Sequence, residues 1–211
     1  LSDNAIVLSV RKHAETSALI EILTETHGAY KGIVRGAYSK KNRGVFQPGN
    51  LISATWSARI PEHMGSIDAE LLTPYAALIM QHRQALALLS SAAALLALSL
   101  PERHPYPRLY TTLHRLLMHL VHAPDECLKE YIDFELMLLA ETGFGLDLTH
   151  CAATGTRDDL LYVSPKSGRA VSREAGEPYK DKLFPLPPTL AMTGYFLEHW
   201  LFESLHRKLP A

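Results

Sequence analysis

The sequence predicts an α+β protein, with a five-stranded barrel at the N-terminus and helices after it. Three observations lead there. Residues 5–71 hold five short apolar or alternating runs, separated by glycine turns and one longer loop. From Pro74 onward the apolar spacing changes from two residues to three or four. Charge is also unevenly shared: net +4 over residues 1–60, −6 over 61–148 and +1 over 149–211, although all 211 residues together carry −1. Apolar residues make up 47% and charged residues 20%, enough core-forming material to offset chain entropy.

The strands are read as Ala5–Val10, Ser17–Leu23, Tyr30–Arg35, Leu51–Ala58 and Ser66–Leu71. His27-Gly28 supplies a turn, and 36–50 form the long loop. Closure into a barrel removes exposed strand edges; a five-stranded sandwich is the alternative, and the pattern does not set strand order. Ala76 to Leu100, rich in Ala and Leu, reads as one long helix or two abutting ones, ended by Pro101. Its stretch Gln84–Leu100 lacks charge for 17 residues, at the lower limit of a bilayer span, but contains Gln and Ser and is closed by charged flanks. A buried central helix in a soluble, non-membrane protein is the expectation. Pro107–Val121 carries Leu109, Leu113, Leu116, Leu117 and Leu120 on one stripe. Pro124-Asp125 reads as the start of a third helix that Gly143 ends. Thr149–Pro188 is loop-rich, and a last helix over Thr189–Lys208 presents Met192, Phe196, Trp200 and Leu201. The expected division is therefore 1–73 barrel, 74–148 helical domain, 149–188 insertion, and 189–211 a C-terminal helix packing on the helical domain.

Much chemistry is excluded. GxxxxGK[ST], GxGxxG, HExxH and GxSxG do not occur. His13-Ala14-Glu15 resembles half of a deaminase site, but the Pro-Cys-x-x-Cys that would complete it is missing. His119 and His122 share a helix face without a Cys or acidic partner at helical spacing, so surface histidines are favoured over a metal pair. Cys127 and Cys151 cannot make a disulfide framework. The start Leu-Ser-Asp-Asn shows no signal peptide, and the absence of Met at position 1 points to trimmed ends. No activated nucleophile is evident, so a non-enzymatic protein without a cofactor is expected.

Two stretches carry chemistry. Arg35-Gly36-Ala37-Tyr38-Ser39-Lys40-Lys41-Asn42-Arg43-Gly44 sets four cations and a tyrosine between two strands. Distributed cations follow a phosphate backbone, and aromatics stack unpaired bases. Arg35, Lys40, Lys41 and Arg43 are therefore the candidate phosphate contacts, with Arg11, Lys12 and Lys31 in support; a solvated polar loop is the plain alternative. The second stretch, His150 to Ala175, has the layout of a small zinc ribbon without its ligands. Where four thiolates would stand, the residues are Cys151, Thr154, Ser172 and Ala175. No metal is expected, and Lys166, Arg169 and Arg173 are secondary anion contacts or ordinary surface cations.

Together these features resemble the RecO family of bacterial recombination mediators. The resemblance lies in the order of elements and in three signatures. The first is Ala5-Ile6-Val7-Leu8-Ser9-Val10-Arg11-Lys12-His13-Ala14-Glu15-Thr16-Ser17; the second is Gly32-Ile33-Val34-Arg35-Gly36-Ala37 with Gln47-Pro48-Gly49-Asn50-Leu51. The third is Glu141-Thr142-Gly143-Phe144-Gly145-Leu146-Asp147-Leu148 with Tyr162-Val163-Ser164-Pro165-Lys166-Ser167-Gly168. They cover nearly the whole chain, in the alphaproteobacterial style in which the zinc ligands are mostly replaced. The resemblance implies an OB-type barrel, an α-helical domain and a degenerate zinc-ribbon-like insertion. It further implies a cytoplasmic, nucleoid-associated protein that binds single-stranded and double-stranded DNA and anneals strands. With RecR, such a protein helps load RecA onto DNA coated by SSB, docking the SSB C-terminal tail, with RecF as a further partner. A protein-only adaptor that binds acidic tails with little DNA affinity is the competing expectation; a hydrolase using His13 and Glu15 lacks an assembled site.

Overall fold

A computed structural model describes residues 1–60 and 64–210. By its internal contacts the chain forms two compact units, Leu1–Tyr131 (joined by Pro210) and Ile132–Leu209.

The first unit opens with five strands: β1 (Ser2–Lys12), β2 (Ala18–Thr24), β3 (Gly28–Val34), β4 (Leu51–Ser57) and β5 (Gly65–Thr73). They close into a barrel in the order β1-β2-β3-β5-β4, with β4 returning to β1. All neighbours are antiparallel except β3 and β5, which run parallel and, among the described residues, pair only at Gly32↔Gly65 and Ile33↔Ser66. Inward positions alternate along the strands: Ile20 and Ile22, Ile52 and Ala54, and Ile67 are all buried. In β1, Val7 and Val10 both pack on this core although they are three residues apart. A bulge between Val7 and Ser9 makes that shift. The short β3–β5 seam needs close approach. A Cβ on Gly65 would lie 2.4 Å from the Trp56 ring and 2.6 Å from the Ser57 carbonyl, so only glycine fits.

The loop from Arg35 to Asn50 is a chain of tight turns without regular structure. Ala37 and Phe46 insert into the barrel core, and Asn50, fully buried, brackets the end of the loop. Its side-chain amide donates to Gly44 O (2.9 Å) and Val45 O (3.1 Å), and its carbonyl accepts from Ala76 N–H (3.1 Å).

The segment expected as one long helix or two is two: α1 (Tyr75–Ile79) and α2 (Arg83–Ser99). α2 lies against β1, with Leu89, Leu95 and Leu96 buried. No helix among the described residues is long and apolar enough to cross a membrane. α3 (Pro107–His122) buries the predicted stripe Leu109, Leu113, Leu116, Leu117 and Leu120. α4 (Leu128–Glu141) starts four residues later than the Pro124 expected. Pro124 to Cys127 are turns instead, because Cys127 is drawn into the core and its thiol donates to Pro124 O (2.9 Å).

The second unit contains most of α4 and a three-stranded sheet in the order β7-β6-β8, from β6 (Leu160–Val163), β7 (Ala170–Ser172) and β8 (Phe184–Pro185). The short α5 (Arg173–Gly176) follows β7, and α6 (Leu190–Phe196) runs on as a π-helical segment, Leu197–Phe202. Phe134, Leu138 and Leu139 are buried, as are Met192, Phe196, Leu201 and Phe202. Inside this core the Thr193 hydroxyl donates to the buried Glu135 carboxylate. The last helix stops short of Lys208. His206 takes a left-handed φ of 52°, and Arg207 N–H reaches back to Phe202 O (3.0 Å), which terminates the helix in the manner of a Schellman cap.

Candidate nucleic-acid interface

Strand register assembles the site. Arg11 on β1 lies opposite Leu19 on β2, Leu19 opposite Ile33 on β3, Ile33 beside Ser66 on β5, and Ser66 opposite Ser57 on β4. Paired residues share a face, so one row crosses the outside of the barrel from cation to apolar pair to hydroxyls. Arg11, Ser66 and Ser57 are exposed, while Leu19 and Ile33 are half-buried. Arg35, two residues beyond Ile33, continues on that face. With Ile33, Ser57, Ala58, Arg59, Met64 and Ser66 it lines a recess of about 420 Å³. Lys12 heads the next row, opposite Ala18, which faces Val34, at the rim.

Arg59 is the residue that the sequence did not single out. It belongs to the β4–β5 connection and reaches Arg35 only through the parallel β3–β5 pairing, which hydrophobic alternation cannot reveal.

The remaining candidates separate. Lys40, Lys41 and Arg43 are exposed on the turns after β3, near a half-exposed Tyr38. Lys41 lines a recess with Ser53, Thr55, Asp68 and Glu70 on the outside of β4 and β5. The exposed carboxylates make that side unfavourable for phosphate. Lys31 is already occupied, with Nζ 3.5 Å from Glu21 and 3.3 Å from Glu102. Arg11, Lys12, Arg35, Lys40, Lys41, Arg43 and Arg59 have no ion-pair partner among the described residues.

The insertion behaves differently. Arg169 pairs with Asp147 (3.6 Å) and Arg173 with Asp159 (2.9 Å); Lys166 has no such partner among the described residues. Cys151, Thr154 and Ser172 do converge. The Cys151 sulfur is 3.4 Å from Ser172 Oγ and accepts from Ser172 N–H at 3.3 Å, and it is hydrogen-bonded to Thr154 as well. Burial alone would raise this thiol, but the bonds to Ser172 and Thr154 outweigh it and bring the pKa to about 6. Ala175 contributes only apolar surface, to a neighbouring recess with Ala152, Val171 and Tyr179. Among the described residues no group of three or more His, Cys, Asp or Glu is placed to hold a metal.

A five-stranded barrel closed in the order 1-2-3-5-4 belongs to the oligonucleotide/oligosaccharide-binding class, and here unanswered cations occupy one end of it. Comparison with known proteins narrows the class. The family model described as Recombination protein O N terminal matches residues 1–75, and that described as Recombination protein O C terminal matches residues 80–202. The chain is 44% identical over 224 aligned residues to the DNA repair protein RecO of Phenylobacterium zucineum, covering 99% of this chain and 92% of the relative. Identity to the RecO of Mesorhizobium japonicum is 50% over 218 residues, covering 95% and 85%. The chain belongs to the RecO family of DNA repair proteins.

Proposed function

We propose that this protein is a non-enzymatic mediator of DNA repair and recombination that holds single-stranded and duplex DNA on the barrel and anneals complementary strands. In this reading it acts with RecR to load RecA onto DNA coated by SSB, docks the SSB C-terminal tail, meets RecF where that protein takes part, and works in the cytoplasm at the nucleoid. The observation that carries it is the cross-strand row. Arg11 stands at one side, Arg35 and Arg59 at the other, and half-buried Leu19 and Ile33 lie between them. Cations without counter-charges fit phosphates, and apolar surface between them fits sugars and bases. Distributed cations of this kind hold phosphates whatever the base sequence, which supports recognition of the backbone.

Fluorescence anisotropy of the full chain on labelled single-stranded oligonucleotides, over a salt series, tests this. The expected result is micromolar or tighter binding, similar for unrelated sequences, whose logarithm falls linearly with log salt. Absence of binding at low salt would leave the adaptor reading, in which the protein acts through protein contacts alone.

A further inference from the structure

Among the described residues β5 meets β3 only at Gly32 and Ile33, and the carbonyls of Ala29 and Lys31 find partners outside that pairing. Groups from elsewhere answer both: Arg103 N–H donates to Ala29 O (2.8 Å), and the Trp56 indole N–H donates to Lys31 O (2.9 Å). Residues 101–104, between α2 and α3, thus lie along the β3 edge, with a parallel bridge between Glu102 and Ala29. Several features hold them there. The Arg103 guanidinium sits 5.1 Å from the Trp56 ring centre and 5.9 Å from that of Tyr30, and Arg103 adopts a left-handed φ of 63°. Gly28 provides room, since a Cβ there would stand 1.9 Å from the His104 carbonyl oxygen.

This strap carries an acid onto a cation of the barrel face. Lys31 lies between Glu21 and Glu102, and the two acids differ in kind. The Glu21 side chain is only 7% exposed and cannot leave, whereas that of Glu102 is 40% exposed, on a pair that water and salt weaken. A phosphate oxygen and the Glu102 carboxylate make the same demand on Lys31.

We propose that the 101–104 strap is a built-in competitor for DNA, in which Glu102 holds the place of a phosphate on Lys31 and must be displaced before Lys31 joins the interface. This rests on the DNA-binding reading above. Lys31 is therefore a latent contact, recruited only when a strand lies across β3, and the displaced Glu102 weakens every such encounter.

The test is anisotropy on a labelled single-stranded oligonucleotide over a salt series, using the parent, Glu102→Gln, Lys31→Gln and the double variant. Glutamine at 31 keeps a donor for the buried Glu21, and thermal melts check that each protein is folded. Glu102→Gln is expected to bind tighter at low salt and to steepen the salt slope by about 0.7, the share of one phosphate on a single strand, so that it loses about 2.6-fold more affinity than the parent between 50 and 200 mM salt. Lys31→Gln is expected to stay within about twofold of the parent, and the double variant to match Lys31→Gln. A gain from Glu102→Gln that persists without Lys31, or no gain at all, overturns the strap. If Arg35→Ala and Arg59→Ala weaken binding while Glu102→Gln changes nothing, the DNA reading stands and only the strap falls. A parent that binds no DNA removes both.

Discussion

The barrel and the insertion carry similar densities of Lys and Arg, but the fold treats the two sets differently. At the barrel end, Arg11, Arg35, Arg59, Lys40 and Arg43 face solvent with no ion-pair partner among the described residues, while Lys41 shares a recess with Asp68 and Glu70. In the insertion, Asp147 and Asp159 are set against Arg169 and Arg173, and Glu177 against Lys180 (2.9 Å). An exposed ion pair adds little to stability, but it does cancel the local field that would draw in a phosphate. Whether a run of cations can bind an anion thus depends on the acids that the fold brings to it. Lys31 shows the same rule inside the barrel.

The difference can be attacked in steps. The largest effect is expected from removing the barrel that organises the cations. Gly65→Ala forces a methyl against Trp56 and the Ser57 carbonyl, and should cost about 3 kcal/mol of stability, read by urea unfolding followed through tryptophan fluorescence. DNA binding should fall with it, whereas a stable variant with intact binding would show that the β3–β5 seam does not position the site. Next is the loop itself: Lys40→Ala with Lys41→Ala should weaken binding about equally for all sequences and flatten the salt slope by roughly 1–2. An unchanged slope would remove the pair from the interface.

A smaller effect is expected from making the insertion resemble the barrel. Asp147→Asn with Asp159→Asn frees Arg169 and Arg173 from their partners. The slope should steepen by about 1 or less, since these cations lack the apolar row beside them; a gain as large as the loop double variant's loss would contradict the distinction. The smallest effect concerns Cys151. Its folded pKa of about 6 lies below the ordinary 9.0, so the thiolate is the form that the fold favours. The associated stability is complete above about pH 9 and is lost as pH falls through about 6. Thiolate absorbance near 240 nm should titrate there in the native chain and vanish in Cys151→Ser, whereas Cys127, pushed upward mainly by burial, should not contribute at neutral pH.

Local pattern made the five strands legible to within a few residues, because alternation and the His27-Gly28 turn are short-range signals. The hairpin also made Lys31 readable in principle. With Thr24 opposite Gly28, counting back along both strands brings Glu21 to Lys31. Long-range pairing was not legible. Arg59 reaches Arg35 only across the parallel β3–β5 seam, and Glu102 reaches Lys31 only after the chain has passed through α1 and α2. The Pro124 start signal failed for a related reason, since burial of Cys127 outweighed a local helix preference.

The most direct test of the central claim compares two triple variants on the same single-stranded oligonucleotide over the same salt series. In one, Arg11, Arg35 and Arg59 become Ala; in the other, Lys166, Arg169 and Arg173 do. The barrel triple should lose most of the low-salt affinity and flatten the slope by about 2, while the insertion triple should change the slope by less than about 1. Equal losses from the two triples, or a larger loss from the insertion, would contradict the claim that unanswered barrel cations form the DNA interface.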